Sequence, residues 1–81
     1  MYTVYILYSK TSDQYYVGYT NDISRRLSEH NRKKGKFTDC GIPWELKYTE
    51  IYATRKEAQK RETYIKSRKS RQYIEQLILG S

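Results

Sequence analysis

Thr3-Val4-Tyr5-Ile6-Leu7-Tyr8, followed by Tyr15-Tyr16-Val17-Gly18-Tyr19, is the stretch that decides the fold of this chain. Both runs are rich in β-branched and aromatic residues. In the first, Val4, Ile6 and Tyr8 alternate with Tyr5 and Leu7, the two-residue period of a strand. Polar turn material, Lys10 to Gln14, separates them, so the pair reads as a β-hairpin. Because neighbouring side chains on a strand point to opposite faces, at most one of Tyr15 and Tyr16 shares a site with Tyr5. Gly18 has no side chain to pack and marks either a bulge or a place where a ligand or another backbone comes close.

Working outward, Asn21 or Asp22 caps a helix whose apolar residues Ile23 and Leu27 fall four apart and which ends near residues 32–35. Residues 36–43 form a loop containing Gly41 and Pro43, and 44–52 alternate as a third strand with Leu46, Tyr48 and Ile51. Thr54 to Glu57 is a capping box that opens a helix with the stripe Ala58, Arg61, Ile65, running to about residue 67. Ser70 starts another, carrying Tyr73, Ile74, Leu77 and Ile78. The order is ββαβαα, an α+β domain with a three-stranded antiparallel sheet and helices on at least one face. Residues 1–79 read as a single domain, because a chain this short buries only roughly 60–65% of its unfolded surface and has no room for a second core. Gly80-Ser81 reads as a tail.

Sixteen Lys and Arg against nine Asp and Glu give a formal charge of +7, which favours polyanionic partners through counterion release. Nucleic acid is the first candidate; a basic surface that serves solubility, or a site that docks on ribosomal RNA or an acidic protein, is the alternative. One Cys excludes an internal disulfide, and with one His it leaves no set of zinc ligands, in keeping with a reducing compartment. No apolar run approaches the ~20 residues of a membrane span, and the start of the chain lacks the pattern of a signal peptide. A cytoplasmic protein with no membrane partner is expected.

Three groups of residues carry candidate chemistry. The tyrosines of the hairpin come first, with cross-strand aromatic packing as their commonest role. Arg26 and His30 lie one helical turn apart on one face. There a guanidinium can hold a phosphate by two hydrogen bonds and a histidine can move a proton, or both can belong to a solvated basic face with Arg25 and Glu29. Residues 55–71 hold eight of the basic side chains but only the carboxylates Glu57 and Glu62. Glu62 either pairs with Lys66 at i,i+4 or, as a lone carboxylate in a basic groove, supplies what Mg²⁺ needs. The run Arg32, Lys33, Lys34, Gly35, Lys36 is either a phosphate-gripping loop or plain surface.

Taken in order, Thr3-Val4-Tyr5, Tyr16-Val17-Gly18, Asn21 to Leu27 and Glu29-His30-Asn31 resemble the GIY-YIG nuclease family. Pro43-Trp44-Glu45-Leu46, Ala58 to Glu62 and Ile65-Lys66 extend the likeness to the compact, stand-alone, UvrC-like members. The first motif reads Thr-Val-Tyr in place of Gly-Ile-Tyr and the second has Val17 for isoleucine, while both motif tyrosines stand. An asparagine that many family nucleases offer after the glutamate has no counterpart here, since none follows Asn31.

The resemblance implies a ββαβα domain in which Tyr5, Tyr16, Arg26 and Glu62 meet at one groove, with His30 as a helper. It implies hydrolysis of DNA phosphodiester bonds with one divalent ion, Mg²⁺ or Mn²⁺, held by Glu62. Tyr5 is then the base or its partner, Tyr16 orients water or phosphate, and Arg26 stabilises the transition state. Nucleic acid is expected on Gly18, Arg25, Arg32, Lys33, Lys34, Lys36, Lys66, Arg68 and Lys69, with DNA ahead of RNA and a protein partner for targeting. Two activities fit: an endonuclease in DNA repair or processing, or a nucleic-acid-binding module that keeps the fold with little or no cleavage.

Overall fold

The computed structural model describes residues 1–32 and 41–80. Its elements are β1 (Tyr2–Ser9), β2 (Gln14–Thr20), α1 (Ile23–His30), β3 (Trp44–Tyr52), α2 (Arg55–Ser67) and α3 (Arg71–Gly80). The strands form one antiparallel sheet in the order β2-β1-β3, so the first strand is the central one. The reason lies in its sequence: β1 is the strand that is apolar on both faces. Val4, Ile6 and Leu7 are 0% exposed and Tyr5 is 2% exposed.

The sheet divides the core in two. On one face Val4, Ile6 and Val17 pack against Ala58 and Ile65 of α2, with Tyr15, Ile74 and Leu77 around them. On the other, Tyr5, Leu7 and Trp44 pack with Tyr16, Ile23 and Leu27, so α1 covers this face. Each fully buried aliphatic side chain contributes about 1.5–3 kcal/mol, which makes β1 the strand least tolerant of truncation. Alternation holds as expected: Tyr16 lies with Tyr5 and Leu7, and Tyr15 lies on the far face.

Helix starts follow their caps. The Arg25 N–H donates to Asp22 at 3.0 Å, so Asp22 and not Asn21 is the cap of α1. Thr54 accepts from the Glu57 N–H at 3.2 Å, and Ser70 accepts from the Tyr73 N–H at 3.1 Å.

Helix ends differ from the sequence reading. α1 stops at His30, short of residues 32–35, because Asn31 is taken up elsewhere. Its side chain accepts from the Trp44 N–H at 2.6 Å and donates to the Trp44 carbonyl at 3.1 Å, tying the end of α1 to the start of β3. At the other end of the chain, Gly80, read as the start of a tail, is the last residue of α3.

Candidate active site

Tyr5 projects from the central strand directly opposite Gly18 of β2. A Cβ placed on Gly18 would stand 2.6 Å from the Tyr5 hydroxyl oxygen and 2.8 Å from Cζ, closer than real contacts allow. Of the expected roles of Gly18, the bulge is absent, since the β1–β2 pairing runs through it without a register shift. The close neighbour is the phenol of Tyr5 itself.

That phenol opens onto a groove of about 440 Å³ lined by Tyr5, Tyr16, Gly18, Arg26 and Glu62, with Tyr2, Tyr19, Thr20, Asn21 and Arg55 at its sides. Five residues singled out in the sequence thus arrive from four elements, β1, β2, α1 and α2. The rings of Tyr5 and Tyr16 stack, their centroids 6.4 Å apart and their planes 21° apart. Arg26 has Glu29 as a distant ion-pair partner at 3.8 Å. Its Nε is buried and meets no hydrogen-bond acceptor among the described residues, a donor that an entering anion would satisfy. Glu62 faces Lys66, whose Nζ is 3.5 Å away.

Burial pushes the Tyr5 hydroxyl up to about 12, with the Tyr16, Glu62 and Glu29 side chains adding to the rise and the Arg26 guanidinium opposing it. At neutral pH Tyr5 is therefore a phenol and a hydrogen-bond donor.

The remaining sequence candidates are placed differently. His30 is not among the residues lining the groove. Its ring meets Tyr16 edge to face, centroids 4.4 Å apart, and Trp44 at 5.8 Å, so it buttresses Tyr16. Arg25 pairs with Glu29 at 3.2 Å on the exposed side of α1, and Arg32 is exposed just beyond it. The Arg68 guanidinium lies over the rings of Tyr73 and Tyr64, at 5.2 and 6.0 Å from their centroids. Lys66 and Lys69 line a second cavity along β2. Lys33, Lys34 and Lys36 lie outside the described residues.

One basic residue of the groove, Arg55, was missed in the sequence. Arg55 Nε donates to the Tyr19 hydroxyl at 3.3 Å, which brings a second guanidinium to the groove that Arg26 lines. The available signal was the basic residue immediately after the Thr54 cap, at the helix start that faces the end of β2.

Among the described residues no three His, Cys, Asp or Glu side chains gather into a metal-binding cluster. Glu62 is the one carboxylate among the described residues that lines the groove. Such a donor set fits Mg²⁺, which keeps several waters and takes one or two carboxylates together with substrate oxygens. Among the described residues, no helix is long and apolar enough to cross a membrane.

The family model of the GIY-YIG catalytic domain matches residues 1–74. A UPF0213 protein of Bacillus licheniformis is 46% identical over 65 residues, covering 75% of this chain and 67% of the relative. A UPF0213 protein of Halobacterium salinarum is 43% identical over 68 residues, covering 82% of this chain and 86% of the relative. The solution NMR structure of the UPF0213 protein of Bacillus halodurans superposes with a TM-score of 0.59 at 32% identity, covering 96% of this chain and 83% of that one. With Tyr5 and Tyr16 on adjacent strands of its sheet, and with the family model spanning residues 1–74 and relatives sharing most of its length, the chain belongs to the GIY-YIG family.

Proposed function

We propose that this chain is a metal-dependent endonuclease that hydrolyses DNA phosphodiester bonds in the cytoplasm, in DNA repair or processing. The observation that carries the proposal is the convergence of Tyr5, Tyr16, Arg26 and Glu62 on one groove. A phosphate entering there meets the buried Nε donor of Arg26, with the Arg55 guanidinium at the side. Arg26 then stabilises the negative charge that grows as water attacks in line. Tyr16, buttressed by His30, orients the phosphate or the attacking water.

The base role implied for Tyr5 needs the phenolate, of which a hydroxyl titrating at about 12 holds only about one part in 10⁵ at pH 7. Tyr5 acts instead as a donor that aligns water or phosphate. Glu62 holds one Mg²⁺ or Mn²⁺, which when bound supplies positive charge to the phosphate and the leaving oxygen. DNA is the partner, with RNA and a targeting protein as further arms of the test.

A second reading, a binding module with little or no cleavage, is favoured by the Glu62–Lys66 contact and by the lack of a second groove-lining carboxylate among the described residues. One experiment decides. Branched, nicked and plain DNA and RNA are incubated with the protein and Mg²⁺ or Mn²⁺, alongside Tyr5→Phe, Arg26→Ala and Glu62→Ala. The nuclease reading expects metal-dependent cleavage that falls by about 10²–10³ in each variant. Binding that survives in all three, with no substrate cut by the wild type, establishes the binding module.

A further inference from the structure

A second cavity, of about 570 Å³, runs along β2 and is lined by Tyr15, Tyr16, Lys66, Lys69, Ser70 and Arg71, among others. Two residues join it to the candidate active site. Tyr16 lines both cavities. Lys66, on the wall of the second, lies 3.5 Å from Glu62, on the wall of the first. The two spaces therefore adjoin at Tyr16 and at the Glu62–Lys66 pair.

Three features describe what the second cavity accepts. Each tyrosine has a cation close to its ring, Lys66 Nζ at 5.9 Å from the Tyr16 centroid and the Arg71 guanidinium at 5.2 Å from that of Tyr15. Aromatic faces interleaved with cations suit stacked bases on a phosphate backbone. Next, β2 is an edge strand, so its outer row of backbone donors and acceptors has no strand partner among the described residues. Finally, the cations are unequally engaged. Arg71 is tied to Asp13, which also lines the cavity, and to Glu75, and Lys66 to Glu62. Lys69 makes no ion pair among the described residues, and it sits at the corner between α2 and α3 with φ 48°, a left-handed conformation that glycine adopts more readily.

We infer that this cavity takes the unpaired nucleic-acid strand that continues from the phosphate bound at Arg26, so that the preferred substrate carries a single-stranded stretch beside the cut. The inference rests on the reading that the Tyr5–Tyr16 groove holds nucleic acid. A cavity of this size admits one strand with its bases, not a double helix. Lys69 supplies the uncommitted positive charge at its mouth.

The test measures binding in EDTA, where no metal-dependent cleavage occurs, by fluorescence anisotropy with a labelled hairpin duplex, either blunt or bearing a single-stranded tail. Tailed DNA is expected to bind at least fivefold, on the order of one added stacking or phosphate contact, more tightly than blunt DNA at the same ionic strength. Lys69→Gly abolishes that ratio while leaving the melting temperature unchanged or higher, because glycine suits the backbone there. A merely structural lysine would leave the ratio intact. Lys56→Ala, which removes a charge from an exposed position on α2 lining neither cavity, keeps the ratio. Equal affinity for blunt and tailed DNA overturns the inference, as does a tail preference that survives Lys69→Gly. Adding Mg²⁺ reads cleavage separately: tail preference with no cleavage of any substrate removes the nuclease reading and keeps this one. Cleavage without tail preference does the reverse.

Discussion

The hydroxyl of Tyr5 lies against the backbone of Gly18, its partner across the strand pair, so closely that a methyl group there would stand 2.6 Å from it. The ring has little room to retreat, because Tyr5 is 2% exposed and packed with Leu7 and Trp44. Gly18→Ala is therefore expected to destabilise the fold by about 1–3 kcal/mol, the usual cost of overpacking. It should also lower cleavage more than tenfold, on the scale of about 1.4 kcal/mol per decade, by displacing the phenol. Denaturant titration and cleavage rates measured on one preparation check both. Wild-type activity in Gly18→Ala would show that the position of the Tyr5 hydroxyl is irrelevant to the reaction.

Alkaline stability gives a second test of the same phenol. Burial raises Tyr5 from its ordinary 10.0 to about 12, so between those values the folded protein holds a proton that the unfolded chain has lost. Its contribution to stability is complete below about pH 10 and falls as the pH rises towards 12. Tyr48 is raised to about 12 as well, chiefly by burial and then by its bond to Glu50. Tyr5→Phe should accordingly flatten, without abolishing, the loss of stability between about pH 10 and 12, where the folded protein keeps protons that the unfolded chain has lost. Urea midpoints across that range measure it, and identical slopes in the two proteins would rule out a raised Tyr5.

Asn31 closes α1 and opens β3 with two hydrogen bonds to Trp44. Asn31→Ala removes both and is expected to cost about 1–3 kcal/mol. For a chain of this size that lowers the melting temperature by about 4–8 °C per kcal/mol. Since Trp44 packs with Tyr5 and Leu7, near-ultraviolet circular dichroism should weaken along with it.

Acid stability depends on Glu50, a carboxylate that does not line the groove. Glu50 accepts from Tyr48 at 2.5 Å, from Tyr52 at 2.8 Å and from Arg61 at 2.9 and 3.1 Å. Burial alone would raise its pKa, but the bonds from Arg61, Tyr48 and Tyr52 together outweigh it and hold the group below its ordinary 4.5. That stability is present above 4.5 and is lost as the pH falls through the lowered value. Glu50→Gln is expected to be less stable than wild type by about 1–3 kcal/mol at pH 7, with the gap narrowing in acid. Thermal melts from neutral to acid pH follow the difference, and a gap independent of pH would contradict it.

The hairpin, the opposite facing of Tyr15 and Tyr16 and the start of α2 were legible because each depends on neighbours in sequence: strand alternation and the Thr54–Glu57 box. The resemblance brought Tyr5, Tyr16, Arg26 and Glu62 to one groove, whereas no local pattern relates residues so far apart. What escaped was set by tertiary contacts. The end of α1 could not be read because Asn31 finds its partners at Trp44, 13 positions along the chain. Arg55 looked like one more basic residue until its bond to Tyr19 placed it at the groove. The packing of His30 against Tyr16 and Trp44 escaped as well, because a three-ring cluster is invisible in spacing alone.

The central place of β1 has a dynamic consequence. A strand hydrogen-bonded on both sides and buried on both faces opens only when the whole domain does, so its amides should exchange with solvent at the global unfolding rate. α3 contains no fully buried residue, and its amides should exchange through local fraying well before that. Tyr5 thus stands on the slowest-exchanging part of the molecule, and thermal fluctuation reaches the groove from its helical walls before it reaches the strand that carries the phenol.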